Sequence, residues 1–134
     1  MANAVYPLAK KALLDADIDL LTDTIKIVLC DSGYTYNTAH DNLDDITAGA
    51  RVATSSALAS KTTTGGAFDA ADVTYTALTG DTVTSWVLFL DSGTESTSKL
   101  IAYFDTKSDA SALSYTPNGS NLTLSFGASG IFTI

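Results

Sequence analysis

The sequence contains little of what most catalytic or metal sites require. Its 134 residues include one cysteine, one histidine and a single glutamate, and seven basic side chains stand against fifteen acidic ones. The resulting net charge of −8 argues against nucleic-acid binding, which needs clustered lysine and arginine to displace counterions from phosphates. The lone Cys30 excludes an internal disulfide, so the fold depends on packing or on association.

Long apolar stretches are also missing. No run approaches the roughly 18 residues of a membrane-spanning helix, and the N-terminus lacks a basic region followed by an apolar stretch. We therefore expect a soluble protein without an export signal. The motifs Asn118-Gly119-Ser120 and Asn121-Leu122-Thr123 match the glycosylation sequon, but they matter only in a secretory pathway. We interpret them as a turn and the start of a strand.

Threonine and serine dominate what is present. The chain has 20 threonines and 14 serines, and the branched threonine side chain fits a pleated, half-exposed strand better than a helix. At this length, residues 1–134 form one domain that buries roughly two-thirds of the unfolded surface around a single core. The composition predicts a mainly β domain.

The pattern along the chain predicts one helix followed by strands. Pro7 and the apolar residues after it indicate a helix over 6–14, and residues 34–46 read as a long loop with a possible second short helix near 42–47. Turn residues separate the predicted strands, which lie at 24–30, 50–59, 73–78, 82–90, 99–105, 121–126 and 131–134. Strands at this spacing are typical of an antiparallel β-sandwich or a barrel-like domain.

Two of these strands are apolar on both faces. Residues 82–90 and 99–105 are therefore predicted to form an antiparallel hairpin in the centre of the core, joined by the polar loop 91–98. In contrast, residues 73–77 and 122–126 alternate between apolar and hydroxyl side chains, which predicts peripheral strands with one exposed face.

The candidates for chemistry are few. His40 could act with Asp44 and a serine, but no nucleophile-elbow motif supports a hydrolase, and we interpret His40 as a surface or packing residue. Gly65-Gly66 lacks the lysine that completes a phosphate-binding loop. No basic residue near Cys30 in the sequence favours a thiolate, so Cys30 is predicted to be a small buried hydrophobe.

Acidic residues and tyrosines form the remaining candidates. Residues 41–45 and the group Asp15, Asp17 and Asp19 offer oxygen ligands of the kind calcium prefers, but neither matches an EF-hand loop. We interpret them as a helix N-terminus and solvated turns, and we predict no metal, cofactor or catalytic residues. Tyr34 and Tyr36 could be exposed contact residues or could pack against their own domain. The sequence leaves both open.

Several segments resemble a group of small virion proteins of tailed bacteriophages. They are MANAVYP at 1–7, DIDLLTDTIK at 17–26, AGARV at 48–52, GAFDAADVT at 66–74, LIAY at 100–103 and TPNG at 116–119. The resemblance covers most of the chain. It implies a head decoration, or cement, protein that is β-rich, free of cofactors and commonly trimeric, and that binds the major capsid protein on the outer head surface.

The resemblance and the candidate residues together leave several alternatives. Residues 1–6 could form an extended arm that reaches a neighbouring subunit. Within structural proteins, a tail, baseplate or fibre-associated component is the alternative to a decoration protein. From other classes, the loops 34–45 and 91–98 could bind host-surface glycans, or His40 could serve a hydrolase, which we do not expect.

Overall fold

The computed structural model describes residues 3–127 and 129–133 and has mainly β structure. One α-helix and nine short strands occur in this part of the chain, in the order β1 (Ala4–Val5), α1 (Pro7–Leu14), β2 (Ile25–Cys30), β3 (Arg51–Thr54), β4 (Ala67–Phe68), β5 (Val73–Tyr75), β6 (Ser85–Leu90), β7 (Leu100–Phe104), β8 (Leu122–Leu124) and β9 (Phe132–Thr133). Single 3-10 turns occupy Leu43–Asp45, Ala48–Ala50, Thr64–Gly66 and Glu95–Thr97. The second short helix expected near 42–47 is thus a 3-10 turn.

A five-stranded antiparallel sheet forms the centre of the molecule. Its strand order is β1-β7-β6-β2-β3, so β7, β6 and β2 are the inner strands. All three are buried along nearly their whole length, because other parts of the chain cover each face. The predicted hairpin of β6 and β7 is confirmed, and a bulge between Leu88 and Phe89 shifts its register.

The two faces of this sheet carry different aromatic residues. In the register of β6 and β7, Trp86 lies opposite Phe104, and Val87 lies opposite Tyr103. Because neighbouring residues of a strand point to opposite faces, Trp86 and Phe104 share one face and Tyr103 lies on the other. We call these the tryptophan face and the tyrosine face.

Two small antiparallel sheets accompany the central sheet. One pairs β4 with β9 and the other pairs β5 with β8. In the second, Val73 and Tyr75 are buried, whereas Thr74 and Thr123 are exposed, with their hydroxyl oxygens 3.1 Å apart. The predicted alternation and the peripheral position are confirmed. Phe126, which follows β8, contacts Trp86, so this part of the chain covers the tryptophan face.

All three sheets are antiparallel, which is compatible with the sandwich-like packing that the sequence predicted, and the described residues form no closed barrel. β1 and β3 each have a single strand neighbour in the central sheet, so both are edges. Several strands are shorter than the sequence predicted: the interval 50–59 contributes only Arg51–Thr54, and 121–126 contributes only Leu122–Leu124. The final predicted strand contains β9, and its last residue lies outside the described part of the chain.

Helix α1 begins where the sequence predicts. Pro7 occupies its first turn, where a missing N–H costs no hydrogen bond, and Ala9 and Ala12 form its buried side. The helix packs against β7. Among the described residues, no helix is long and apolar enough to cross a membrane.

Residues 3–6 are extended, but they are attached to their own domain. Ala4 and Val5 pair with Tyr103 and Ala102 as the edge strand β1, and the side chain of Tyr6 is fully buried. The side-chain oxygen of Asn3 accepts hydrogen bonds from two backbone N–H groups beyond β7, at 2.9 and 3.2 Å. A two-residue strand has no repeating pattern, so the sequence did not reveal this pairing. Residues 1 and 2 of the predicted arm lie outside the described part of the chain.

Candidate functional site

The lone histidine lies at the end of a hydrogen-bonded chain of side chains. Its ring nitrogen Nδ1 is 2.9 Å from the hydroxyl oxygen of Tyr34, which in turn is 2.7 Å from the hydroxyl oxygen of Tyr6. In the tautomer that carries its proton on Nε2, His40 accepts from Tyr34, and Tyr34 accepts from Tyr6. His40 is half-buried, whereas both tyrosines are buried. The histidine thus packs against Tyr34, which is one of the two roles, surface or packing, that the sequence analysis gave it.

The same tyrosines belong to an aromatic cluster on the tyrosine face. The ring centroids of Tyr36 lie 5.0 Å from those of Tyr6 and 5.2 Å from those of Tyr103, and Tyr34 also contacts Tyr103 at 6.1 Å. Such tilted contacts at about 5–6 Å stabilise buried aromatic pairs beyond their area alone. The cluster joins the start of α1, the loop after β2 and strand β7. Of the two interpretations left open, packing within the domain is the one observed for Tyr34 and Tyr36.

Burial keeps the hydroxyls of Tyr6 and Tyr34 protonated. The pKa of Tyr34 is raised to about 12, mainly because burial disfavours the phenolate. The pKa of Tyr6 is raised further by burial and by its hydrogen bond with Tyr34. Neutral phenols at physiological pH donate and accept hydrogen bonds, but they do not act as bases. The cluster is therefore suited to stabilising the fold and not to transferring protons.

The acidic loop beside His40 stabilises its own turn. A carboxylate oxygen of Asp45 accepts from the backbone N–H groups of Asp41 and Asn42, at 2.8 and 3.3 Å. Desolvation opposes ionisation of Asp45, but these two N–H groups and the nearby His40 hold its pKa below the ordinary value. Asp45 thereby caps the N-terminal end of the 3-10 turn at Leu43–Asp45, as part of a capping box with Asn42. Asp44, the partner imagined for His40, is exposed.

In the acidic group after α1, Asp15 and Asp19 likewise contact residues that are close in the chain. Asp15 forms an ion pair with Lys11 one helical turn earlier. One oxygen of Asp19 accepts from the backbone N–H groups of Leu21 and Thr22, and the side chain of Thr22 together with these N–H groups lowers the pKa of Asp19. In the described part of the chain, histidine, cysteine, aspartate and glutamate form no group of three or more that could hold a metal ion.

Cys30 is buried at the end of β2, as predicted. Burial raises the pKa of its thiol to about 12, and the carboxylate of Asp31 acts in the same direction. A thiol with this pKa remains protonated at physiological pH and is a poor nucleophile. Its role is that of a small core side chain.

Arg51 is an organising residue that the sequence analysis did not identify. It donates to the backbone oxygens of Ile46 and Leu43 at 2.8 and 2.9 Å, and it forms an ion pair with Glu95. Arg51 therefore connects the loop after β2 with the loop between β6 and β7. No local motif signals this role, because Arg51 and Glu95 are 44 positions apart in the chain.

The two loops proposed for glycan binding do lie side by side. Leu43 donates its backbone N–H to Ser98 at 2.8 Å, and Leu100 donates to Asp41 at 2.9 Å. The two tyrosines of the first loop, however, offer little free surface: Tyr34 is only 7% exposed, and Tyr36 is half-buried and packs on other tyrosines. The two loops are thus joined by backbone hydrogen bonds. In these described loops, no tyrosine presents the open ring face that sugar binding requires.

Comparison with known proteins adds no relative. No protein-family model matches the chain, and no curated protein is significantly similar to it.

Proposed function

We propose that this protein is a structural subunit of a tailed-bacteriophage particle, and specifically a decoration protein on the outer surface of the capsid. The observation that carries the proposal is the structural use of the reactive side chains. His40, Tyr34, Asp45 and Cys30 are each committed to a turn, an aromatic cluster or the core. The resemblance to small virion proteins supplies the biological setting.

The segments that carry the resemblance support a structural role. The segment at 1–7 includes β1 and the start of α1, 48–52 includes a 3-10 turn and the start of β3, and 100–103 lies in β7. These three segments therefore belong to the central sheet and its covering layer. Shared residues at such positions are what a common scaffold requires.

The physical basis of the proposed role is linkage. A protein that binds an assembled shell but not its separated parts stabilises the assembly by mass action. Many copies, each making modest contacts, add their effects through multivalency, so no active site is needed. A net charge of −8 also favours solubility of the free subunit and disfavours binding to nucleic acid.

A tail, baseplate or fibre-associated position is the alternative within structural proteins. Copy number separates the two positions. We expect hundreds of copies per particle for a capsid protein, whereas a few copies or a few rings would indicate the tail. Imaging of purified particles that carry a labelled copy of this protein gives location and copy number together. A label confined to the tail would overturn the decoration role, but it would still agree with a structural subunit of the particle.

Particle robustness provides the second test. We expect particles that lack this protein to break open at a lower temperature, or after a milder osmotic shock, than wild-type particles. Adding the purified protein back to deficient particles should restore the wild-type release temperature. Equal robustness with and without the protein would contradict a cementing role.

We do not propose glycan binding, because Tyr34 is buried and Tyr36 is half-buried against other tyrosines. A Tyr34→Ala variant would therefore report on folding before it reported on any ligand. A hydrolytic role would require an activity that His40→Ala abolishes, and we expect none.

A further inference from the structure

A cavity lined by aromatic side chains opens on the tryptophan face. Its volume is about 320 Å³, and its walls include Trp86, Phe104 and Phe126. The rings of Trp86 and Phe104 are stacked, with centroids 4.1 Å apart and planes inclined by 16°, and Phe126 lies 6.1 Å from Trp86. Binding pockets in proteins have volumes of roughly 300–1,000 Å³ and mainly apolar walls. This cavity is large enough for an apolar side chain.

The rim of the cavity carries one basic residue. Lys107 lies on the loop after β7, lines the cavity and is exposed. The chain has only seven lysine and arginine residues in total. A cation beside an apolar cavity favours an occupant with a negative charge next to an apolar group.

A side chain with these properties stands elsewhere on the same protein. Leu14, the last residue of α1, is 88% exposed, which makes it the most exposed of the large apolar side chains in the described part of the chain. Asp15 and Asp17 lie one and three residues after it and are also exposed. Because Asp15 is paired with Lys11, Asp17 is the carboxylate near Leu14 that can face a partner, and Lys107 is the ammonium group beside the apolar cavity.

One copy does not fill its own cavity with this leucine. Residues of α1 are not among those that line it. We propose that Leu14 of one copy of this chain inserts into the cavity beside Trp86 of a second copy, with Asp17 of the first facing Lys107 of the second. The contact joins two different surfaces, so it is heterologous, and repetition around a rotation axis closes it into a ring.

This inference rests on the proposed function, because a subunit of a larger assembly needs a surface for a neighbouring copy. It can fail independently. If the isolated protein is a monomer but still occurs on particles, the ring contact is wrong and the decoration role stands.

Trp86 is the only tryptophan and lies in the cavity wall, so its fluorescence reports directly on occupancy. We expect the purified chain to sediment at a multiple of its 13.9 kDa mass. Because Trp86 is only 9% exposed, we expect a small shift of its emission to shorter wavelength as the concentration rises and copies associate. A monomer at all concentrations would overturn the proposal.

Substitution of the projecting leucine tests which side chain is inserted. Leu14→Asp should raise the dissociation constant of the oligomer by about 100-fold, since burial of one leucine side chain is lost. Leu21→Asp is the matched control, because Leu21 is a second exposed leucine, at 49%, outside α1. It should change the constant by about threefold or less. Circular dichroism should show native folding for both variants, and equal effects of the two would contradict the assignment.

Mixing two defective variants tests whether the contact is heterologous. Ser125→Phe places a bulky side chain in the cavity wall and leaves Leu14 intact. Each variant alone should be monomeric, whereas a mixture of Leu14→Asp and Ser125→Phe should form dimers and nothing larger. An absence of dimers in the mixture would overturn the insertion of Leu14 into this cavity. Charge exchange gives a second measure: Asp17→Lys and Lys107→Glu should each weaken association, and the double variant should restore it.

Discussion

Aromatic side chains are buried on both faces of the central sheet, but by different means. On the tyrosine face, Tyr6 and Tyr34 are linked through their hydroxyls, and Tyr36 and Tyr103 pack around them. On the tryptophan face, Trp86 and Phe104 stack directly, and a cavity of about 320 Å³ remains beside them.

The difference shows what a buried hydroxyl imposes. A hydroxyl removed from water requires a partner, so each tyrosine constrains the position of the next, and the cluster specifies one arrangement. Stacked rings without hydroxyls need only van der Waals contact with each other, so the space beside them can stay partly empty. We therefore expect the tyrosine face to carry more of the stability and the tryptophan face to be free for binding. The predictions below test this contrast, from the largest expected effect to the smallest.

Truncation of one aromatic residue on each face gives the largest effect. Tyr6→Ala should lower the free energy of unfolding by about 3–5 kcal/mol, because Tyr6 is fully buried and its neighbours cannot collapse into the space. Phe126→Ala should cost clearly less, since Phe126 is only half-buried and already borders a cavity. Urea unfolding monitored by circular dichroism gives both values. Equal losses would remove the contrast between the faces.

A glycine near the cavity should be nearly irreplaceable. Gly130 has φ +82°, and an added Cβ would lie 2.7 Å from the backbone oxygen of Phe68. Gly130→Ala should therefore destabilise the protein by about 2–3 kcal/mol through backbone strain and overlap.

Gly119 is the matched control, with φ +85° and no atom within 4 Å of an added Cβ. Gly119→Ala should cost only the strain, about 1 kcal/mol. Thermal unfolding of both variants separates the two contributions. A larger loss for Gly119→Ala would mean that the close approach at Gly130 is relieved by movement of the chain.

Removal of one hydroxyl tests the hydrogen-bonded chain. Tyr34→Phe should cost about 1–2 kcal/mol, because the hydroxyl of Tyr6 stays buried and loses its partner. The double variant Tyr6→Phe/Tyr34→Phe should be destabilised by less than the sum of the single variants, since it leaves neither hydroxyl of the pair behind. Strict additivity in a double-mutant cycle, measured by urea unfolding, would indicate that the two hydroxyls act independently.

The smallest effect concerns an ion pair at the end of the tyrosine face. The ammonium group of Lys26 is 2.6 Å from a carboxylate oxygen of Asp91. The hydrogen bond from Lys26, followed by that from the N–H of Gly93, lowers the pKa of Asp91. Asp91→Asn should cost about 1 kcal/mol or less at neutral pH, as for other partly exposed pairs.

The pH dependence of this pair has a definite sign. The folded pKa of Asp91 is depressed, so its contribution is fully present above the unfolded pKa. It is lost as the pH falls through the folded pKa. The difference in unfolding free energy between wild type and Asp91→Asn should therefore shrink toward zero in acid. A difference that persists after protonation of the carboxyl would assign the effect to packing.

Much of the fold could be read from local pattern. Continuous apolar runs predicted β2, β6 and β7, and Pro7 marked the start of α1. The repeated Asp-Ser-Gly sequence after β2 and β6 forms matching turns, in which the glycine N–H donates to the aspartate side chain at 2.7 and 2.9 Å. The strands β1 and β4, with two residues each, were missed, because no period develops over so short a length.

The candidate site was less predictable than the fold. His40, Tyr34 and Cys30 drew attention as residue types, and the burial of Cys30 was anticipated. The partner of Tyr34 was not, because Tyr6 lies 28 positions earlier in the chain. The cavity beside Trp86 also has no local signature, since its walls come from segments that are separate in the sequence.

By itself, the sequence determined the preference for strands, the place of the helix, the turns and the low content of reactive side chains. Each of these follows from the conformational preferences of neighbouring residues. Only the tertiary structure decided that Tyr6 meets Tyr34, that Arg51 meets Glu95 and that β5 pairs with β8. Such contacts join residues tens of positions apart, and they form only because the whole chain finds one way to bury its apolar surface while it satisfies its buried polar groups.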